Sequence, residues 1–199
     1  MNRRITLALV SGAALFGAAL AAPAASAAPA EDAPACVDDD NYGNGSNING
    51  FFRCMSGRGV AMDCPKLDQA GNRLAFNVDS QVCDWPWVVG ATPTKVTAGN
   101  AKLRALPLPI GIQGLNAQVT AGTTDRPVIN ALVTFTTQGG QQLCTARTDD
   151  SGRATCNASG LLNTVTELLT GYKATYAGVP DNGGASYKAS SGSGTVSLL

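Results

Sequence analysis

Across the second half of the chain, apolar and polar residues alternate with a period of two: Leu115, Ala117 and Val119; Ala131, Val133 and Phe135; Tyr172, Ala174 and Tyr176. Strands with one buried face carry this pattern. Turn formers interrupt it at Thr124-Asp125-Arg126-Pro127, Gly139-Gly140, Asp149-Asp150-Ser151-Gly152 and Pro180-Asp181-Asn182-Gly183-Gly184, and short strands between such turns predict a β-sandwich over residues 98–199. Residues 195–199 supply a final strand, and the Ser- and Gly-rich stretch 190–194 reads as the connection into it. Residues 36–90 are patterned differently. They show no helical period, their stretch NYGNGSNING at 41–50 is dense in turn formers, and short strands are expected at 50–55, 59–64 and 74–77, the first two joined by Ser56-Gly57-Arg58-Gly59. The fold class is therefore all-β, a small disulfide-rich β module followed by a β-sandwich. Gly90-Ala91-Thr92-Pro93-Thr94-Lys95 punctuates the change, and residues 91–97 read as a linker.

The N-terminus belongs to neither pattern. Asn2-Arg3-Arg4 leads into an uncharged apolar run over 5–22 and then Ala25-Ser26-Ala27, the layout of a secretory signal peptide cut after Ala27, with a short flexible segment at 28–35. A retained anchor is the competing reading. No later stretch approaches the roughly 18 apolar residues of a membrane span, so the mature protein is expected to be secreted and extracellular, with no membrane association after cleavage. Export places Cys36, Cys54, Cys64, Cys83, Cys144 and Cys156 in an oxidising compartment, where an even number reads as disulfides. A zinc site is the weaker alternative, because no CxxC spacing and no histidine exist. Four cysteines crowd into 36–83 and two stand apart, which suggests bridges inside each of two modules. Cys144 and Cys156 are symmetric about Asp150, so a hairpin would place them opposite each other.

Composition narrows the chemistry. The absence of histidine excludes Ser-His-Asp and Cys-His nucleophiles, HExxH zinc sites and a histidine general base. The chain carries 14 basic and 14 acidic side chains, and removal of Arg3 and Arg4 leaves a small negative balance, without the basic face a nucleic-acid partner requires. Twelve of the acids are aspartates. Asp149-Asp150 and Asp38-Asp39-Asp40 sit in turn-like stretches where solvated roles outweigh the paired acid and base of a glycosidase, and the triple run lacks calcium-loop spacing. Neither an enzyme nor a cofactor or metal is expected. Aromatics, by contrast, are concentrated: Tyr42, Phe51, Phe52, Phe76, Trp85 and Trp87 precede residue 91, and Phe135, Tyr172, Tyr176 and Tyr187 follow it.

Residues 36–90 carry Phe51-Phe52-Arg53-Cys54, a nine-residue spacer to Cys64-Pro65, Leu74-Ala75-Phe76-Asn77, and Gln81-Val82-Cys83-Asp84-Trp85-Pro86 followed by Val88. In this order they resemble the type-2 chitin-binding, peritrophin-A-like modules, also called carbohydrate-binding module family 14. The resemblance implies pairing of Cys36 with Cys54 and of Cys64 with Cys83. Loops of that size, once closed, would each contribute roughly 3 kcal/mol, which a module this small needs. The family's third bridge is absent, since no cysteine stands near Ile48 or near Gly90, and Lys66 to Arg73 reads as an inserted loop. Chitin is an uncharged N-acetylglucosamine polymer whose sugar faces stack on aromatic rings while polar groups fix its orientation. The implied ligand residues are Phe51, Phe52, Phe76, Asn77, Asp84, Trp85 and Trp87. Phe51 and Phe52 should point to opposite faces, one core and one exposed. Trp85 either packs over a disulfide or meets ligand, and Asn77 and Asp84 either contact sugar or serve turns.

Residues 98–199 resemble bacterial immunoglobulin-like (Ig-like) repeat domains through Pro127-Val128, Ala131-Leu132-Val133-Thr134-Phe135, Thr148-Asp149-Asp150-Ser151-Gly152-Arg153-Ala154 and Gly171-Tyr172-Lys173-Ala174-Thr175-Tyr176-Ala177-Gly178. Such domains act as spacers or adhesion elements, which implies a possible surface-protein partner. The expected function is secreted, non-catalytic binding of chitin or N-acetylglucosamine oligomers. The alternative is an adhesion protein whose disulfide module has lost its sugar site.

Overall fold

In the computed structural model the described residues are 36–104, 110–159 and 165–199. The expected signal peptide at 1–27 and the segment 28–35 lie outside them. The first region forms β1 (Asn41–Asn44), β2 (Gly50–Met55), β3 (Arg58–Asp63), β4 (Ala75–Asn77), β5 (Val82–Asp84) and the one-turn helix α1 (Pro86–Val89). There follow β6 (Ala91–Thr92), β7 (Thr94–Ala98), β8 (Asn100–Arg104), β9 (Gly111–Ala121), β10 (Arg126–Ile129), β11 (Leu132–Thr137), β12 (Gln142–Arg147) and β13 (Arg153–Ser159). The remainder is helix α2 (Val165–Leu168), β14 (Tyr172–Tyr176), β15 (Val179–Asn182), β16 (Ala185–Tyr187) and β17 (Ser190–Leu198). Among the described residues no helix is long and apolar enough to cross a membrane.

The C-terminal region is a β-sandwich. One layer runs β12-β11-β14-β17, and the other is organised on the long strand β9, which pairs with β7, β8, β10 and β13. Alternation puts Val133, Phe135, Tyr172 and Ala174 on the inner face of the first layer and Leu115, Ala117 and Val119 on that of the second, all in one buried core. Tyr172 spans the layers: its hydroxyl donates to the carbonyl oxygens of Asn116 (2.7 Å) and Gly99 (3.0 Å).

Two expectations for this half need correction. Residues 190–194, read as a connection, are strand: Ser190 to Gly194 pair with β14, and Thr195 to Leu198 then pair in parallel with β8. A Ser- and Gly-rich strand suits this crossing between layers, because larger side chains would collide there; a Cβ at Gly192 would meet the Val96 backbone. Cys144 and Cys156 are bonded, but not across a hairpin. After the Asp149–Gly152 turn the chain splays, β12 pairing with β11 and β13 with β9, so the bridge ties one layer to the other.

In the first region β2 and β3 form a hairpin around Ser56 and Gly57, both at positive φ, the geometry that matches strand twist in a two-residue turn. Disulfides join Cys36 to Cys54 and Cys64 to Cys83. Phe51 stacks on Phe76, ring centroids 5.1 Å apart, and Phe52 packs with Tyr42, Cys36, Cys54 and Ile129.

The stretch 91–97, expected as a linker, is strand. Thr92 is buried, β6 pairs in parallel with β16, and β7 pairs with β9. The two regions share a sheet, through parallel pairing of β1 with β10, and share a core in which Ile48, Phe76 and Val78 join Tyr176 and Tyr187. β1 lies so close that a Cβ at Gly43 would collide with the Tyr187 hydroxyl. Polar contacts reinforce the seam: Tyr176 donates to the Gly45 carbonyl (2.8 Å), Arg126 donates to Asp40 (2.8 Å) above the Tyr42 ring, and Asp79 accepts from Thr123 and Thr124. The positions of the missing third bridge are held by the same seam. Ile48 is buried in the shared core, and the Gly90 carbonyl accepts from Ser186.

Candidate functional site

Cys83 on β5 is bonded to Cys64, and this crosslink fixes the start of the segment Asp84-Trp85-Pro86-Trp87. Pro86 holds the preceding residue extended, so Trp85 sits at φ −61°, ψ 137°. It also begins α1, where a missing N–H costs nothing. One extended and one helical residue around a buried proline bring the two indoles together on the outside. Their centroids are 4.8 Å apart with planes inclined 19°, and Trp85 and Trp87 are 45% and 68% exposed. Burial of such rings is normally a main source of folding free energy, so two stacked indoles left in water are unexplained by folding.

A wall stands on each side of the pair. The first is the inserted loop. Lys66 and Arg73 form a β-bridge, the Leu67 N–H donates to the Asn72 carbonyl (2.7 Å), and the Asp68 carboxylate accepts from the Asn72 side chain (2.7 Å) and backbone (3.1 Å). The Asn72 side-chain bond is the main reason the Asp68 carboxyl titrates below its ordinary value. Arg73 turns inward, donating to the Cys64 carbonyl (2.7 Å) and pairing with Asp63 (3.5 Å). The second wall is the β15–β16 turn, whose Asn182 Nδ2 donates to Asn49 Oδ1. Gly183 and Gly184 have positive φ, and a Cβ at Gly183 would lie 3.6 Å from the Pro86 ring. Leu67, Asp68, Asn72, Arg73, Trp85, Pro86, Trp87, Asn182 and Gly183 enclose a cleft of about 490 Å³. Its apolar floor can cover a flat ligand face, and its polar rim can fix orientation.

Residues 36–90 match the family model of the chitin binding Peritrophin-A domain. This supports chitin binding at the level of the family. No curated protein and no solved structure matches the chain.

Within the Peritrophin-A segment, the structure separates the seven expected ligand residues. Trp85 and Trp87 line the cleft; Phe51, Phe52, Phe76, Asn77 and Asp84 do not. Phe76 is 1% exposed and closed to any ligand, a correction imposed by its place in the shared core. Phe51 and Phe52 do face different clusters, yet both are half-buried: Phe51 packs against the core shared by the two regions, and Phe52 against Cys36, Tyr42, Cys54 and the C-terminal Ile129. Asn77 accepts from the amides of Asp79 and Ser80, and Asp84 accepts from the Trp85 amide. Both serve turns.

The aspartate runs are likewise engaged in structure. Asp38 accepts from Gly57, Asp39 pairs with Arg53, and Asp40 pairs with Arg126. Asp149 closes its own turn through Ser151 and Arg153, and Asp150 accepts from Gly59.

Sequence reasoning missed Leu67, Asp68, Asn72, Arg73, Asn182 and Gly183 as lining residues. The long spacer between Cys64 and Cys83 signalled an inserted loop beside the expected ligand residues. Nothing local to Asn182 and Gly183 announced neighbours as distant in the chain as Pro86 and Asn49.

Proposed function

We propose that this is a secreted, non-catalytic protein that binds chitin or related N-acetylglucosamine polymers by stacking sugar faces on the Trp85–Trp87 pair. The observation that carries the reading is the exposure of these two indoles at the floor of a polar-rimmed cleft, inside the segment that matches a chitin-binding family. Three disulfides fit an oxidising, extracellular setting. The β-sandwich is read as an Ig-like domain that holds the chitin-binding module in place and presents it away from, or against, another surface.

One cleft of this size should bind in the micromolar to millimolar range, about −8 to −4 kcal/mol. Because the polymer is uncharged, binding should respond little to salt. A pull-down on regenerated amorphous chitin tests the reading. The wild-type chain should be retained at low and high salt, and the Trp85→Ala/Trp87→Ala double variant should wash through. Wild-type protein that washes through contradicts it.

A further inference from the structure

We propose that the cleft is a composite site for a single, neutral saccharide chain, and that the β15–β16 turn of the C-terminal sandwich forms its second wall, with Asn182 as a specificity-determining residue. The inference rests on the sugar-binding reading of the tryptophan pair and adds what that pair alone does not specify.

The arrangement of the indoles limits the form of ligand. Rings set side by side would make a flat platform for the face of a crystalline polymer. Here the two rings lie over each other, so the pair offers only its outer faces. Walls at Leu67–Arg73 and at Asn182–Gly183 flank it, and the enclosed volume of about 490 Å³ lies inside the roughly 300–1,000 Å³ of small-ligand sites. A single chain can enter such a cleft; a crystalline face cannot.

The rim selects the chemistry. The Arg73 guanidinium is committed to the Cys64 carbonyl and to Asp63, so its charge is already answered. Asp68 has no cationic partner among the described ion pairs, and the Asn72 side chain holds it ionised. One N–H of the Asn182 amide is taken by Asn49, which leaves the amide its oxygen as an acceptor and its second N–H as a donor. Acceptors on both walls, with the second Asn182 N–H beside them, suit neutral groups that both donate and accept, namely hydroxyl and acetamido groups. It repels carboxylated or sulfated sugars, whose charge would face Asp68 unpaired.

Two measurements on the full chain test this. First, the wild-type protein is compared on crystalline chitin, on regenerated amorphous chitin and with soluble chitotetraose. The expected result is retention on the amorphous form, release by chitotetraose and at least tenfold weaker retention on the crystalline form. Equal or stronger binding to crystalline chitin overturns the inference while leaving chitin binding intact. Second, Gly183→Asn narrows the cleft from the C-terminal side at a position where φ is +67°, a conformation Asn tolerates. It should weaken chitotetraose binding at least tenfold with an unchanged thermal transition. Wild-type affinity in that variant overturns the composite site. If the wild-type chain binds neither chitotetraose nor either solid, the sugar-binding reading falls and the inference falls with it.

Discussion

The two regions of this molecule treat their largest aromatic residues differently. After residue 91 the chain has four, Phe135, Tyr172, Tyr176 and Tyr187, and all are buried. Tyr187 is held so deeply that burial, with the neighbouring Tyr176 adding to it, pushes its hydroxyl far above the ordinary tyrosine range. Before residue 91 the largest side chains, Trp85 and Trp87, stand outside, although the region is small and short of core. It is held instead by two disulfides and by the neighbour's strands and core. The contrast separates residues that build the fold from residues the fold holds out for something else. In the C-terminal region aromatic burial drives folding; in the first region crosslinks and the seam carry that load and leave two indoles free.

The most severe way to break this comparison is to remove the neighbour. Residues 36–90 expressed alone should lack a cooperative thermal transition, because Ile48, Phe76 and Val78 lose their core partners and β1 loses β10. A sharp transition in near-UV circular dichroism would mean that the disulfides suffice. In the full chain, Cys64→Ser/Cys83→Ser should lower stability by about 3 kcal/mol in urea denaturation, since the bridge closes a loop with a sequence separation of 19. Tyr176→Phe removes the hydroxyl that reaches across the seam to Gly45 and should cost about 1–2 kcal/mol, read from the same denaturation curves.

A smaller effect is expected from Asp79, which faces the β9–β10 turn. Burial raises its pKa, but the bonds from Thr123 and Thr124 outweigh that and hold the carboxyl below its ordinary value of 3.8. A lowered folded-state pKa means the contribution is complete above that value and is lost as pH falls through the lowered one. Acid denaturation of Asp79→Asn should therefore show a weaker loss of stability in that window than wild type. Unchanged acid sensitivity would show that the carboxylate does not couple the regions.

Much of this was legible in the sequence, for reasons that stop at identifiable residues. Strict alternation announced the inner-face residues Leu115, Val119, Val133, Phe135 and Tyr172, because a two-residue period leaves little choice of face. The family resemblance led to the Cys36–Cys54 and Cys64–Cys83 bridges, and the symmetry of Cys144 and Cys156 about Asp150 led to the third, although that bridge joins two layers and not the strands of a hairpin. What failed was long-range. The stretch 91–97 has linker composition, yet Thr92 and Val96 are buried by strands that arrive much later in the chain. The turn at Gly183-Gly184 was visible as a turn, but its apposition to Pro86 depends on β16 pairing with β6, which no local pattern encodes. Phe76 read as a candidate ligand residue for the same reason, since its burial is completed by the other region.

The central claim is that the exposed indole pair exists to meet sugar. The chain contains only two tryptophans, both in the cleft, so intrinsic tryptophan fluorescence reports on this site. Titration of the wild-type protein with chitotetraose should give a saturable change. Trp87→Ala, whose stability should stay within about 0.5 kcal/mol of wild type because the residue is largely exposed, should lose saturation. A flat titration of the folded wild-type protein, or a Trp87→Ala variant that saturates at the wild-type concentration, would contradict the account.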